Sequence, residues 1–247
     1  MAEVKSCKAE ARQCVQGDTI TWRVFLDGRG LKKHPALQKL ADDAQFMRLT
    51  SYASGRLERP MMYIQQIRNG HASGGLDPQK FFHSDTFHPT MKAWLFLEDV
   101  PLEKGPFNYV PGSNRLNWKR IRWEYRKSLV AAKLKDGYSE KGSFRASEAD
   151  LKQMGLGKAK EFAVAKNTLV IGNTHGFHRR GDCSGKGTRL EIYCSSRVNP
   201  FSPFIGFGGL AVLRDGILQR YYKHADKKAA AKGTKASWHV AESGIIQ

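Results

Sequence analysis

Long apolar runs are missing from this sequence of 247 residues. No stretch of about eighteen consecutive apolar residues occurs, so no transmembrane helix is predicted. The opening residues, MAEVKSCKAEARQC, also lack the apolar stretch of a secretory signal. We therefore expect a cytoplasmic protein that does not span a membrane.

Cysteine is scarce as well. The sequence has four, at Cys7, Cys14, Cys183 and Cys194. None has the C-x-x-C spacing that is typical of zinc sites, and no disulfide framework is indicated. We expect reduced thiols at all of these positions.

Acidic residues are outnumbered. The sequence has 23 Asp and Glu against 41 Lys and Arg, which gives a net charge of +18. Such a surplus attracts nucleic acid, anionic lipid or acidic small molecules, and does not select among them. A hydrophobic fraction of 40% and an aromatic fraction of 11% suit a buried core. The length fits a single domain over residues 1–247.

The basic residues are concentrated in two segments. Residues 115–135 contain eight Lys or Arg and one acid, Glu124. Apolar residues recur through this segment at helical spacing, at Trp118, Ile121, Tyr125 and Leu129. This pattern predicts an amphipathic helix with an apolar seam and a basic outer face. The second segment, within a basic C-terminal region of about 214–247, is rich in Ala and Lys at residues 223–235 and predicts an exposed or mobile tail.

Two further helices are predicted. Residues 34–53 place apolar side chains near one stripe. Ser147 and Asp150 resemble a capping box that opens a short helix, which Gly155 would end.

Short apolar segments bounded by Gly and Pro turns predict strands. They cover residues 61–68, 92–100, 105–113, 167–173 and 189–197. Their order favours a mainly antiparallel β architecture with flanking helices, with a jelly roll as the preferred form and a core at about residues 60–200. An unrelated α+β sandwich stays an open alternative.

His83 and Asp85 form a His-x-Asp pair whose side chains project to one side of an extended strand. With a second imidazole they would form a facial triad of two histidines and one carboxylate, which favours non-haem Fe(II) and oxygen chemistry. The pair alone is common by chance, and its usual explanation is a surface strand or turn. Both His175 and His178 could complete the triad. We select His178, because Arg189 follows it by eleven positions and could offer its guanidinium to a carboxylate in the same cavity.

Together these residues resemble the phytanoyl-CoA dioxygenase family of Fe(II)- and 2-oxoglutarate-dependent oxygenases. The resemblance covers residues of about 60 to 200. It is carried by His83-Ser84-Asp85, Trp94, the segment GPFNYVPGSNR at 105–115, His178 and Arg189.

The resemblance implies a double-stranded β-helix that holds Fe(II) through His83, Asp85 and His178. It also implies O2 as a substrate, and 2-oxoglutarate as a cosubstrate whose distal carboxylate pairs with Arg189. Trp94 resembles the family aromatic that lines the cosubstrate pocket. Gln66, seventeen residues before His83, resembles a residue that contacts the cosubstrate. A polar position on the outer face of its strand is the alternative for Gln66.

The sequence departs from the family pattern near the distal histidine. Arg179 and Arg180 follow His178 where many members have small residues. Arg180 is therefore a candidate to contact 2-oxoglutarate or an acidic substrate. Asn114 stands where the family usually has a histidine after Pro-Gly-Ser.

The function that the resemblance implies is hydroxylation of an unactivated C–H bond, with release of succinate and CO2. The basic segments suggest a small or medium substrate that is anionic or carried on a lipid or glycan. Desaturation and ring formation stay open as outcomes. A basic nucleic-acid-binding protein, a nucleic-acid-directed oxygenase and a member that binds without turnover are the alternatives.

Overall fold

The computed structural model describes residues 2–7, 9–196 and 210–242. Two antiparallel sheets form its centre. The strands are β1 (Ala11–Gln16), β2 (Thr19–Leu26), β3 (Met61–Asn69), β4 (Met91–Phe96), β5 (Phe107–Tyr109), β6 (Lys160–Phe162), β7 (Leu169–Asn173), β8 (His178–Arg180), β9 (Gly187–Ser196) and β10 (His239–Val240). Arg197, at the end of one predicted strand, lies outside the described residues.

The sheets face each other as the two walls of a jelly roll. The larger has seven strands in the order β10-β1-β2-β3-β9-β4-β7, and the smaller has three in the order β6-β5-β8. His83 adds to the smaller sheet through an isolated antiparallel bridge to His178. From β3 to β9 the chain passes repeatedly between the two sheets, as a double-stranded β-helix does. The predicted fold class is confirmed.

Alternation along each strand of the larger sheet separates two faces. On β3, Met62 and Ile64 are buried in the main hydrophobic core. Tyr63 and Gln65, between and after them, face the cavity between the sheets. The sheet therefore supplies the core on one face and the cavity wall on the other.

The helices flank this pair of sheets. They are α1 (Ala2–Ser6), α2 (Gly28–Lys32), α3 (Pro35–Asp42), α4 (Ala44–Ser54), α5 (Trp118–Leu134), α6 (Glu148–Gln153) and α7 (Leu210–Ala230). No helix among the described residues is both long and apolar enough to cross a membrane.

The single helix predicted over residues 34–53 is in fact two. The backbone of Asp43 is extended, at φ −64° and ψ 120°, and its carboxylate accepts a hydrogen bond of 2.7 Å from the Phe46 amide. Asp43 thus caps α4 and ends α3, because a side chain that satisfies an orphan amide stabilises a new helix start.

The predicted capping box of Ser147 and Asp150 is present at the start of α6. Helix α5 also forms, but its predicted apolar seam does not pack against the body. Arg120 and Trp123 are its buried residues, whereas Trp118 is 83% exposed.

Both ends of the chain extend the fold beyond the predicted core. Strands β1 and β2 belong to the larger sheet, so this sheet begins well before residue 60. Residues 223–230 of the predicted tail belong to α7, and their side chains are exposed or half-buried, in agreement with the predicted exposed segment. Arg12 of β1 holds this helix by donating to both carboxylate oxygens of Asp226, at 3.1 and 2.8 Å, and by stacking 4.5 Å from the ring centroid of Tyr222.

Candidate active site

His83 and His178 are placed side by side by the backbone. Each amide donates to the carbonyl of the other residue, at 3.0 Å in both directions. The ring centroids lie 4.3 Å apart. His83 was expected on a strand; it lies instead in an extended segment outside the named strands, where isolated antiparallel bridges join it to Arg145 and His178. The bridge between His83 and His178 brings His178 next to His83 and Asp85.

Asp85 completes the group from the same segment. Its amide donates to the Thr174 carbonyl at 3.0 Å, and the Thr174 amide donates to Thr90 at 2.8 Å. One possible ligand atom from each of His83, Asp85 and His178 lies within 4.8 Å of the other two. The predicted triad is therefore assembled in the structure.

The two imidazoles are oriented for metal binding. Nδ1 of His83 lies 2.8 Å from the Phe81 carbonyl, and Nδ1 of His178 lies 2.9 Å from the Gly176 carbonyl. A carbonyl only accepts, so each Nδ1 carries the proton and each Nε2 keeps its lone pair. Both Nε2 atoms are buried and have no hydrogen-bond partner among the described residues. Buried polar atoms of this kind require an explanation, and a metal ion held by both supplies one.

Burial keeps both histidines neutral. It lowers the pKa of His178 to about 4, and together with the neighbouring His178 it lowers the pKa of His83 well below its usual value. Burial alone would raise the pKa of Asp85, but the Lys92 ammonium and the two imidazoles hold that pKa well below its usual range. All three groups are in the form that binds a cation.

Metal binding should therefore resist mild acid. We expect the affinity of the apoprotein for Ni(II), used as an air-stable probe, to change less than about threefold between about pH 7.5 and 6. Two histidines with the ordinary pKa of about 6.5 would lose roughly tenfold over that interval. The loss should become steep only towards about pH 4, as His178 takes up its proton. A titration followed by calorimetry measures this, and a tenfold loss by pH 6 would contradict it.

Lys92 is a part of the site that sequence reasoning missed. Its ammonium lies 2.8 Å from each carboxylate oxygen of Asp85. The signal was present, because Lys92 stands two residues before Trp94 on β4, and residues two apart share a face of a strand. When one oxygen of Asp85 binds a metal, Lys92 is in reach of the other and can fix its orientation.

The turn that carries His175 and Gly176 is packed without spare room. The Tyr109 hydroxyl donates to the Asn173 carbonyl at 3.0 Å, and the Ser113 hydroxyl accepts from the Phe177 amide at 2.7 Å. A Cβ added at Gly176 would lie 2.1 Å from the Tyr109 hydroxyl oxygen and 2.9 Å from that of Ser113. Only glycine fits there, and its carbonyl is the one that orients His178.

Gly176→Ala should consequently weaken both the fold and the metal site. We expect a destabilisation of about 1–3 kcal/mol, as for other overpacked positions, and a measurable loss of Ni(II) affinity because the His178 ring loses its orienting carbonyl. Gly157→Ala is the matched control, since a Cβ there meets no atom within 4 Å. Urea unfolding and metal titration of both variants test this; equal behaviour of the two would contradict it.

Arg189 lies on β9, is buried and lines the cavity. One terminal nitrogen donates to the Gly105 carbonyl at 2.5 Å, and Nε lies 3.3 Å from a carboxylate oxygen of Glu191. Glu191 is fully buried and also accepts from the Gln65 amide. Arg189 is thus held in place, with one internal acid near its charge.

The other predicted cosubstrate residues divide between two faces. Trp94 lines the cavity and stacks on Phe107 at a centroid distance of 4.5 Å. Arg180 also lines it, but forms an ion pair with the fully buried Asp77. Gln66 faces the opposite way, with the core residues of β3, and Gln65 holds the cavity position instead. Gln65 and not Gln66 therefore lines the cavity, against the prediction that Gln66 contacts the cosubstrate.

The cavity has a volume of about 560 Å³, within the range of small-molecule sites. Its lining includes six basic side chains and one acidic side chain. They are Arg23, Lys92, Lys141, Arg179, Arg180 and Arg189, with Asp85 as the acid.

Arg23 is a second residue that the sequence did not reveal. Its Nε donates to Gln65 at 2.5 Å, and its guanidinium lies 4.3 Å from the ring centroid of Tyr193 and 4.6 Å from that of Trp238. No acidic side chain in the described parts of the chain forms an ion pair with it. Its charge is fixed by its surroundings and directed at the cavity.

The sequence profile of the phytanoyl-CoA dioxygenase family matches residues 4–152. The match covers more than half of the chain and includes His83, Asp85 and Trp94. The chain therefore belongs to the phytanoyl-CoA dioxygenase family of Fe(II)- and 2-oxoglutarate-dependent oxygenases.

Solved structures resemble the chain more distantly. HygX from Streptomyces hygroscopicus, with nickel and 2-oxoglutarate bound, is 16% identical with a TM-score of 0.44, over 78% of this chain and 77% of that chain. The epimerase SnoN from nogalamycin biosynthesis is 17% identical with a TM-score of 0.47, over 78% and 70%. AviO1 from Streptomyces viridochromogenes Tue57 is 15% identical with a TM-score of 0.42, over 82% and 86%. No curated protein matches the sequence.

Proposed function

We propose that this chain is a hydroxylase that uses Fe(II), 2-oxoglutarate and O2 to oxidise a C–H bond of a small or medium anionic molecule, with release of succinate and CO2. The observation that supports this most is the pair of buried, unpartnered Nε2 atoms of His83 and His178 beside the ionised Asp85. One carboxylate and two imidazoles on one side of an ion leave positions open for ligands, a pattern typical of non-haem iron oxygenases.

The residues of the site have separate tasks. His83, Asp85 and His178 would hold the metal, and Lys92 would fix the second oxygen of Asp85. Bound there with its cosubstrate, the iron supplies the oxidising power for C–H cleavage. A carboxylate at Asp85, where a small residue would leave room for a halide, favours hydroxylation or desaturation over halogenation.

Arg189 is the residue that we assign to the distal carboxylate of 2-oxoglutarate. It is buried, held by the Gly105 carbonyl, and presents a planar fork in a cavity wall. Trp94 would pack against the cosubstrate from β4. Arg180 lines the pocket, but Asp77 already balances its charge, so we do not assign it to the cosubstrate.

An anionic substrate is favoured by the charge of the cavity. Six basic side chains face one acid in its lining. Asp77 and Glu191 balance Arg180 and Arg189 from behind, which leaves Arg23 without an acidic partner among the described residues. A carboxylate or phosphate of the substrate would supply that partner.

An anaerobic titration tests the proposed function. Addition of Fe(II) and 2-oxoglutarate to the apoprotein should produce the weak visible absorption that the two give together when bound at such a site. Arg189→Ala should still give the band, but at a higher 2-oxoglutarate concentration. Gln66→Leu is the control, because Gln66 faces away from the cavity, and it should leave the concentration unchanged.

Two outcomes would count against the proposal. Absence of the band in the wild-type protein would overturn the assignment of iron and cosubstrate. An unchanged 2-oxoglutarate requirement in Arg189→Ala would return Arg189 to a structural role. Stimulation of succinate release by a panel of carboxylates and phosphate esters, compared with their neutral analogues, then tests the anionic substrate.

A further inference from the structure

Helix α5 has one face that the body of the protein uses and one that it does not. On the used face, the guanidinium of Arg120 lies 3.9 Å from the ring centroid of Phe177, and the Trp123 ring packs edge-on against the same phenylalanine at 5.2 Å. Arg120 also donates to Glu124 at 2.8 Å. These contacts fix which side of α5 is turned outward.

The outward face carries a stripe of large apolar side chains. Trp118 is 83% exposed, Tyr125 and Leu129 are 63% exposed, and Ile121 is 42% exposed. They recur every three or four residues and therefore line one side of the helix. Leu116 precedes the helix and Leu134 is its last residue, at 59% and 48% exposure. A run of this length on a single helix is more than the isolated exposed apolar residues that are normal on protein surfaces.

Basic residues border the stripe. They are Arg115, Lys119, Arg122, Arg126, Lys133 and Lys135, most of them along one side of the stripe, and none of them forms an ion pair with an acidic side chain of the described structure. The acid of this segment, Glu124, is bound by Arg120 on the opposite face. The outward face of α5 is therefore apolar along its middle and positive along one edge.

We propose that this face of α5 binds the surface of an anionic lipid bilayer. An amphipathic helix of this composition lies in the plane of the interface, with Trp, Leu and Ile among the acyl chains and Lys and Arg at the headgroups. Trp and Tyr favour the headgroup level. Each basic residue near an anionic surface adds an attraction that falls off within a Debye length. Charge complementarity thus selects the lipid.

The same charges disfavour the other occupants. A second copy of the chain, paired through this stripe, would bring two rows of like charge together. Nucleic acid would satisfy the basic residues, but a phosphate backbone leaves Ile121 and Leu129 in water. A bilayer with anionic headgroups satisfies both the apolar and the basic part of the face.

Flotation with lipid vesicles tests this on the full chain. We expect binding to phosphatidylcholine vesicles that contain phosphatidylglycerol, weaker binding in high salt, and little binding to phosphatidylcholine alone. The double variant Trp118→Ser/Leu129→Ser should bind at least about tenfold more weakly, because two large side chains no longer leave water. Tyr52→Ser is the matched control, since Tyr52 is 91% exposed on α4 and should leave binding unchanged.

Circular dichroism establishes that the double variant is folded, which its exposed positions predict. Failure of the wild-type protein to bind anionic vesicles would overturn the proposal, as would undiminished binding by the folded double variant. A dimer in sedimentation velocity that the double variant abolishes would assign the face to a second copy. Tight, salt-sensitive binding to nucleic acid without vesicle binding would assign it to nucleic acid. Both results would overturn the lipid assignment, and neither touches the iron site.

Discussion

Asp85→Ala should abolish Fe(II) binding and succinate formation. Asp85 carries the negative charge of the triad, and its pKa is held far below neutrality by Lys92 and the two imidazoles. Its removal leaves the Lys92 ammonium next to His178 with no carboxylate between that charge and an incoming cation. We expect metal affinity to fall by more than about a hundredfold, beyond what the loss of an outer-shell partner costs. His83→Ala and His178→Ala should each have a comparable effect.

Lys92→Met separates the missing ligand from the added repulsion. Alone it keeps Asp85, so metal binding should be retained within the range of about ten- to a hundredfold that is typical of outer-shell changes. The double variant Asp85→Ala/Lys92→Met should still fail to bind, because no carboxylate is restored. Calorimetry with Ni(II) and a succinate assay measure both properties. Wild-type affinity in the double variant would show that charge repulsion, and not the lost ligand, explains the single variant.

Local patterns predicted that His83, Asp85 and His178 lie together, as they do in the structure. His83 and Asp85 are two residues apart, and their relation to one another needs only an extended backbone. His178 was chosen through its spacing to Arg189, and the structure places both in the cavity wall. Both spacings that carried the prediction are short: two residues from His83 to Asp85, and eleven residues across one turn from His178 to Arg189.

Gln66 shows where such patterns stop. The segment MMYIQQIR is apolar on both faces, so its alternation does not reveal which face turns to the cavity, and a shift of one residue exchanges the faces. The register with the neighbouring strands decides, through the pairs of Gln65 with Arg23 on one side and with Glu191 on the other. These partners are 42 and 126 residues away from Gln65. The same remoteness hid Arg23 from a reading of the sequence.

Strands β1 and β2 were not predicted from the sequence. Alternation in TITWRVFL was a strand signal that could have been used. The helix formed by residues 223–230 was not predicted, because the composition of an Ala- and Lys-rich segment does not show which part of the protein it packs against. Asp226 of α7 is bound by Arg12, which lies 214 residues earlier in the chain.

The seam of α5 is the most instructive error in the fold. Helical spacing correctly predicted a helix, and the usual assumption then buries its apolar side. In the structure Arg120 is the residue with 2% exposure, because two backbone carbonyls, those of Ser113 and His175, need donors at this place. A buried carbonyl without a partner costs more than an exposed apolar side chain, and the helix is rotated accordingly.

Arg120→Ala should therefore be the most destabilising change outside the metal site. It removes donors from the carbonyls of Ser113 and His175, at 2.9 and 3.1 Å, and leaves Glu124 without its cation. Loss of one partner of a buried, hydrogen-bonded charge costs about 3–5 kcal/mol, and we take about 3 because Glu124 is partly exposed. For a chain of this size that corresponds to a fall in Tm of about 6–12 °C.

The consequence should reach the metal site, because the carbonyl of His175 that Arg120 holds is adjacent to Gly176, whose carbonyl orients His178. Arg122→Ala is the matched control on the same helix, exposed and expected to change stability by no more than about 0.5 kcal/mol. Thermal unfolding of both variants, with and without Ni(II), distinguishes a general loss of stability from a loss of the site. If the increase in Tm that Ni(II) gives is the same in Arg120→Ala as in the wild type, Arg120 stabilises the fold without positioning His178.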